Sequence, residues 1–248
     1  MHRFRVSPEA VHNGIILITG EDHKHLSQVL RLEPGDRIGV FDGSGMEYEA
    51  SLLSVEKLEA RAEILSREAS LTEPETKVTL FQGLLKGEKM DFIVQKAVEL
   101  GIYQIVPVIT QRTVVRLDDK ERDKKAQRWN KIAAEASKQC GRATVPQVFV
   151  PMDWKTALDK MQSFTAKVLL YENEQKKCLK EILKCYNINK IRDIALFIGP
   201  EGGFSQDEAE WCLKAGIDTA GLGKRILRAE TAAISVLSIT MYEMGELQ

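Results

Sequence analysis

From residue 77 onward, short apolar runs alternate with longer stretches in which apolar residues recur at helical spacing. The apolar runs are bounded by turn residues and predict strands at 78–85, 102–108, 144–150, 165–171, 194–198 and 217–222. The stretches between and after them predict helices at 88–100, 121–139, 154–161, 176–186, 205–216 and 232–241. This alternation predicts an α/β domain with a mostly parallel sheet, covered by helices on both faces.

Helix-ending and helix-starting residues support these bounds. Gly101 stands where a left-handed residue would end the first helix, and Gly141 stops the long second one. Residues 205–208 form a capping box, Ser-Gln-Asp-Glu. The last helix has Thr231, or a residue just before it, as its candidate cap.

The first seventy residues show a different rhythm, typical of a small β-rich domain. Turn signals at 33–36 and 42–45 surround apolar runs that predict strands, and the stretch 21–30 predicts one short helix with Leu26, Val29 and Leu30 on one face. The segment 70–76 is polar and contains proline, which predicts a linker. The strands are predicted at 15–18, 38–41 and 48–55, and the domains at 1–70 and 78–248, joined through 71–77.

Two glycine-bearing segments are the most informative part of the chain. Residues 198–204 read Ile-Gly-Pro-Glu-Gly-Gly-Phe, and 222–233 read Leu-Gly-Lys-Arg-Ile-Leu-Arg-Ala-Glu-Thr-Ala-Ala. Each follows a predicted strand and leads into a helix, where glycine lets the backbone approach a ligand closely. Taken alone, the first segment is equally compatible with a simple strand-to-helix turn, whereas that alternative is weaker for the second. Together they predict two facing loops that enclose one flat cofactor.

The second segment also concentrates charge at the start of an apolar helix. Arg225, Arg228 and Glu230 lie within six residues. Burying such groups costs desolvation energy unless they pair with one another or meet a ligand. They are therefore candidate site residues.

Several common chemistries are poorly supported. Residues 83–87 read Gly-Leu-Leu-Lys-Gly, which matches neither a dinucleotide nor a phosphate-loop fingerprint. All four histidines precede the linker, so the α/β domain has no histidine for nucleophilic catalysis or for metal binding. We expect His23 and His25 to form a surface pair and no metal to be bound. A reaction driven by cofactor reactivity and positioning is favoured.

Composition adds the setting. The 248 residues are 44% hydrophobic and 29% charged, as in soluble globular proteins, and no apolar run is long enough for a membrane span. The four cysteines lack metal-ligand spacing, so reduced thiols in a cytoplasmic protein are expected.

Charge is distributed unevenly along the chain. Residues 1–70 carry 8 Lys and Arg against 12 Asp and Glu, whereas 77–145 carry 14 against 8. A basic middle is typical of a polyanion site, although a solvated helix face explains 120–125 better. We expect Trp129 to be core. RNA contacts are predicted, in this middle and in the first domain, at Arg5, Arg31, Lys86, Lys89, Lys138, Gln139 and Arg142.

With these residues identified, the chain resembles the bacterial ribosomal RNA small subunit methyltransferase E family nearly from end to end. These are SPOUT-class enzymes that methylate N3 of a single uridine of 16S ribosomal RNA (uridine 1498 in the family). The segments that carry the resemblance are 28–31 (Gln-Val-Leu-Arg), 86–92 (Lys-Gly-Glu-Lys-Met-Asp-Phe), 95–101, 134–142, 198–203 and 222–232.

The resemblance implies an N-terminal PUA-like β-barrel, a SPOUT-type α/β domain with a C-terminal trefoil knot, a homodimer, and S-adenosylmethionine as methyl donor. The substrate would be 16S ribosomal RNA within the small ribosomal subunit or a late assembly intermediate. The cofactor would lie between three loops at strand ends. Its candidate contacts are Leu170, Tyr171, Glu172, Gly199, Pro200, Glu201, Gly202, Gly203, Leu222, Gly223, Lys224, Arg225, Ile226 and Leu227.

The chemistry of such a transfer selects the catalytic candidates. N3 of uracil carries a proton at neutral pH, so a base must remove it and the anionic ring must be stabilised. Carboxylates and guanidinium groups suit these tasks, and the candidates are Glu201, Glu230, Arg225 and Arg228. The sequence does not choose between the glutamates, and Glu230 could instead fix Arg228. Two alternative functions stay open: a knotted methyltransferase acting on a ribose 2′-hydroxyl, and a non-catalytic RNA-binding assembly factor.

Overall fold

The computed structural model describes residues 1–247, and the chain forms two compact units. The first unit consists of Met1–Glu73 together with Ser137–Val145, and the second contains the rest. Residues 137–145 were expected in the second domain. They belong to the first unit because their polar groups bind Asp22, Thr72 and Glu73.

The first unit is β-rich, as predicted. Its strands are β1 (Arg3–Arg5), β2 (Val11–His12), β3 (Ile15–Thr19), β4 (Arg37–Phe41), β5 (Met46–Val55) and β6 (Glu59–Ala69). They form one sheet in the order β1-β4-β5-β6-β3-β2, antiparallel except for the β1–β4 pair. Strands β1, β2 and β6 were not predicted. In β6 the buried positions are Ala60 and Ala62, whose small side chains make the alternating pattern weak.

The predicted helix over 21–30 differs from the structure. Helix α1 covers Gly20–Lys24, and a π-helical turn follows at His25–Val29. A π turn changes the angle between successive side chains, so Leu26 is buried whereas Val29 is 66% exposed. The expected surface pair of histidines is also wrong for His23, which is buried with its Nε2 2.9 Å from the carbonyl oxygen of Glu56.

The second unit contains the predicted parallel sheet. Its strands are β7 (Lys77–Gly83), β8 (Gln104–Ile109), β9 (Gln147–Val148), β10 (Met152–Asp153), β11 (Ala166–Leu170), β12 (Asp193–Ile198) and β13 (Asp218–Ala220). The order is β10-β8-β7-β12-β11-β13, with β9 beside β8, and every pair is parallel. The run predicted at 144–150 forms only the two-residue strand β9.

Six helices belong with this sheet: α2 (Lys89–Glu99), α3 (Asp119–Cys140), α4 (Trp154–Met161), α5 (Leu179–Ile188), α6 (Gln206–Lys214) and α7 (Ala229–Glu243). The Ser205–Glu208 capping box is confirmed at the start of α6. The predicted cap of α7 is wrong. The helix begins three residues before the predicted start, its N-cap is Arg228 without a side-chain cap bond, and Thr231 lies inside it.

Candidate functional site

The second unit has a cavity of about 320 Å³ at the carboxyl ends of three strands. Leu170 of β11 pairs with both Ile198 of β12 and Ala220 of β13, so these strands end at the same level. Because the strands are parallel, the loops that follow them meet at one edge of the sheet. The two glycine loops therefore face each other across β11 rather than from adjacent strands.

The loop 199–203 is a tight turn that forms one wall of the cavity. The Gly203 amide donates to the carbonyl oxygen of Pro200 at 2.9 Å, and Gly203 has a left-handed φ of +66°. A Cβ at Gly203 would lie 3.1 Å from the Glu172 Oε1 atom. The backbone conformation thus favours glycine strongly, and a Cβ would in addition push the exposed Glu172 carboxylate aside by a few tenths of an ångström.

The end of β7 supports this loop from behind. A Cβ at Gly83 would lie 2.5 Å from the Pro200 nitrogen. The buried carboxamide of Gln82 donates from Nε2 to the carbonyl oxygens of Gly83, at 3.0 Å, and of Gly199, at 3.3 Å. Sequence reasoning missed Gln82, whose signal is a polar side chain inside the apolar run of β7.

Glu201 is already engaged by two donors. Its Oε1 atom accepts from the Lys86 backbone amide at 3.2 Å and from Lys89 Nζ at 3.0 Å. Burial alone would raise the pKa of Glu201, but these hydrogen bonds and the Lys89 charge outweigh it and lower the pKa. Glu201 is therefore an ionised carboxylate with little tendency to accept a proton.

Glu230 has a different environment in the first turn of α7. Its side chain is 18% exposed, and its Oε2 atom lies 3.9 Å from Lys89 Nζ. Oε2 is buried and has no hydrogen-bond partner within the described part of the chain. The alternative in which Glu230 fixes Arg228 is not observed, since no ion pair joins the two among residues 1–247. Of the two carboxylates, Glu230 has fewer hydrogen bonds within the described chain.

Arg225 and Arg228 line the cavity and are exposed. Neither makes an ion pair with any residue that the structure describes. The expected desolvation cost is thus avoided by exposure, and both guanidinium groups are open to a ligand.

The structure brings together the whole predicted cofactor set except one residue. Gly202 does not line the cavity; its carbonyl oxygen accepts from Arg112 Nη1 at 2.9 Å. The predicted residues that line it are Leu170, Tyr171, Glu172, Gly199, Pro200, Glu201, Gly203, Leu222, Gly223, Lys224, Arg225, Ile226 and Leu227.

Three residues predicted to contact RNA have other surroundings. Lys89 lines the cavity and Lys138 pairs with Asp22 at 2.9 Å. Arg142 is 5% exposed and its Nη2 lies 2.7 Å from Glu73 Oε2. A buried guanidinium that is bound to a carboxylate cannot contact a phosphate unless its surroundings open. The structure therefore contradicts the RNA contact predicted for Arg142. The exposed members of the predicted set are Arg5, Arg31, Lys86 and Gln139.

Trp129 is confirmed as a core residue. Its ring is buried, and Nε1 donates to Asp91 Oδ1 at 3.0 Å.

None of the helices within residues 1–247 combines the length and apolarity needed to cross a membrane.

Comparisons with known protein families agree with this arrangement. Residues 72–241 match the RNA methyltransferase domain family, and 18–65 match the RNA methyltransferase PUA domain family. The PUA-like first domain is thereby confirmed, whereas the trefoil knot stays a prediction.

Individual relatives match along nearly their whole length. Ribosomal RNA small subunit methyltransferase E of Bacillus subtilis is 36% identical over 91% of this chain and 89% of its own. The Neisseria gonorrhoeae protein of the same name, solved bound to S-adenosylmethionine, is 34% identical with a TM-score of 0.85 over 100% of both chains. A Legionella pneumophila protein solved with its bound cofactor SAM is 32% identical, with a TM-score of 0.83 over 97% of this chain and 96% of its own. This chain therefore belongs to the ribosomal RNA small subunit methyltransferase E family of RNA methyltransferases.

Proposed function

We propose that this protein transfers a methyl group from S-adenosylmethionine to N3 of a single uridine of 16S ribosomal RNA (uridine 1498 in the family) in the small ribosomal subunit or a late assembly intermediate. The observation that carries the proposal is the cavity at three parallel strand ends. It combines glycine loops, a carboxylate whose buried oxygen has no hydrogen bond within residues 1–247, and two exposed guanidinium groups.

The cavity fits the methyl donor in size and in chemistry. Its floor includes the apolar side chains of Leu170 and Ile198, which suit a flat base. The glycine turn of 199–203 removes side chains from one wall, where a Cβ on Gly203 would meet Glu172. When bound, the donor supplies an electrophilic methyl group on a cationic sulfur. The relatives from Neisseria gonorrhoeae and Legionella pneumophila support the same ligand.

The residues divide the remaining work between proton removal and charge stabilisation. We assign Glu230 as the base that accepts the N3 proton, because Glu201 is held by Lys89 and has a lowered pKa. We assign Arg228 to stabilise negative charge on the uracil ring, because its guanidinium lines the cavity without an ion pair in the described chain. Arg225 is a second candidate for this role.

The exposed cations Arg5, Arg31 and Lys86, together with Gln139, are the proposed RNA contacts. The homodimer implied by the resemblance and the cytoplasmic location expected from the cysteines remain predictions. Light scattering coupled to size exclusion measures the first.

Nucleoside analysis tests the reaction directly. Small subunits whose 16S RNA lacks the modification are incubated with the protein and labelled S-adenosylmethionine, and the RNA is digested to nucleosides. We expect labelled N3-methyluridine. A 2′-O-methylated nucleoside would point to the ribose-modifying alternative, and the absence of label together with retained RNA binding would favour an assembly factor.

A matched pair of glycine variants tests the cofactor site. Gly203 and Gly216 both have left-handed φ angles, +66° and +73°, but only Gly203 has Glu172 beside the position of a Cβ. Val is strained at both, by about 1–2 kcal/mol. We expect Gly203→Val to abolish S-adenosylmethionine binding in isothermal titration while the protein stays folded, and Gly216→Val to retain it. If both variants bound S-adenosylmethionine with wild-type affinity, the loop 199–203 would not be part of the cofactor site.

A further inference from the structure

Lys89 is the first residue of α2, and it contacts both carboxylates of the candidate site. Its Nζ atom lies 3.0 Å from Glu201 Oε1 and 3.9 Å from Glu230 Oε2. No other cation within residues 1–247 pairs with either glutamate. One ammonium group thus joins the loop after β12 to the first turn of α7.

The position of Lys89 is set by the backbone around it. The Lys86 amide donates to the same Oε1 atom of Glu201, at 3.2 Å, so residues 86–89 are tied to the loop at two points. The Lys89 side chain is only 36% exposed, and its ammonium group contacts the carboxylates of Glu201 and Glu230. This arrangement explains why Lys89 lines the cavity rather than projecting away from it.

The charge balance of the cluster depends on this one lysine. Two carboxylates that lie 3.0 Å and 3.9 Å from the same nitrogen repel each other, and removing the cation between them would make proton binding to either one more favourable. Glu172, Lys224, Arg225 and Arg228 also line the cavity, but all four are exposed to solvent, which screens their charges. The Lys86 side chain is exposed as well.

We propose that Lys89 is a positioning residue for methyl transfer: it fixes Glu201 in the pocket wall and offsets the repulsion between the two carboxylates, so that Glu230 accepts the N3 proton. This inference rests on the proposed function. It replaces the RNA-phosphate role predicted for Lys89, because a phosphate would have to compete with a carboxylate already bound at 3.0 Å.

The test compares single-turnover methylation rates between about pH 5 and about pH 8.5, with RNA and cofactor both saturating. Lys89→Met should move the acid limb of the pH–rate profile upward by about one pH unit, because the base stays protonated to a higher pH, and should therefore slow the reaction most, by about tenfold, at the acid end of this range. Lys89→Arg should keep the acid limb of the pH–rate profile at its wild-type position. Lys96→Met is the matched control, since Lys96 lies on the same helix, is also 36% exposed and also pairs with a glutamate.

A double variant separates charge balance from packing. If Lys89 acts by neutralising two carboxylates, Lys89→Met combined with Glu201→Gln removes one of them, and the acid limb should return toward the wild-type position. Melting temperature and cofactor affinity are measured for every variant. We expect Lys89→Met to change the melting temperature little, and the saturating cofactor keeps any loss of affinity out of the measured rate.

Four results would overturn the inference. A rate lowered by the same factor at every pH would indicate a structural role only. An unchanged rate with weaker RNA binding and a shallower salt dependence would restore the phosphate contact. A wild-type protein that forms no N3-methyluridine would defeat the proposed function first and this inference with it, whereas wild-type activity with an unshifted Lys89→Met profile defeats this inference alone.

Discussion

Arg142 in the first unit was predicted to contact RNA and Arg228 in the second to act in catalysis, and the two arginines have opposite surroundings. Arg142 is buried, and its Nε and Nη2 atoms both donate to Glu73. Arg228 is exposed and has no ion pair within residues 1–247. Because a buried charge must be paired, the first guanidinium is committed to the fold. The second is open to a ligand.

Their neighbouring carboxylates show the same difference. Glu73 also accepts hydrogen bonds from the backbone amides of Ala143 and Thr144, at 2.9 Å and 3.0 Å. Burial acts to raise the pKa of Glu73, but the Arg142 and Thr144 hydrogen bonds outweigh it and lower the pKa. Glu230 has one buried oxygen without such a bond in the described chain. Saturated hydrogen bonding therefore marks a structural cluster, and incomplete bonding marks the candidate site.

The largest expected effect is on stability, from Arg142→Ala. Removing this guanidinium leaves Glu73 partly buried without its cation, which should cost about 3–5 kcal/mol of unfolding free energy. Urea denaturation at neutral pH measures the change. Adding Glu73→Gln should recover part of the loss, since the stranded charge is then removed. A single variant as stable as the wild type would show that Arg142 is not committed to the fold.

Arg228→Ala should have the complementary effect, on rate alone. Losing a group that stabilises developing charge typically lowers turnover about 10²–10³-fold. The side chain is exposed and makes no ion pair in the part of the chain described, so the melting temperature and cofactor affinity should stay close to wild type. Single-turnover rate, titration calorimetry and thermal unfolding are measured together. A normal rate contradicts the catalytic role, and an equal loss of rate and stability favours a structural one.

The smallest expected effect concerns the salt dependence of RNA binding. Lys86 is exposed, whereas Lys138 is held by Asp22 at 2.9 Å. Each phosphate contact contributes a slope of roughly −0.7 to −0.9 to log affinity against log salt. We expect Lys86→Ala to flatten the slope by about one such contribution and Lys138→Ala to leave it unchanged. The reverse result would mean that the Asp22 pair opens to bind RNA and that Lys86 does not.

Local sequence signals determined the elements and the place of the site. Periodicity predicted α4 to the residue and most strands of the sheet to within a few residues. Glycine and proline at 199–203, directly after an apolar run, predicted a loop at a strand end. These signals work because hydrophobic spacing and turn chemistry act over a few neighbouring residues.

Only the tertiary structure decided which charges are paired. Arg142 and Glu73 are 69 residues apart in sequence, and Lys89 and Glu201 are 112 apart. The insertion of β11 between β12 and β13, which brings the two glycine loops to opposite sides of one cavity, is equally non-local. A basic residue carries the same charge at every position in a sequence. Whether that charge is buried against a carboxylate or left open to a ligand depends on long-range packing, which no local pattern encodes.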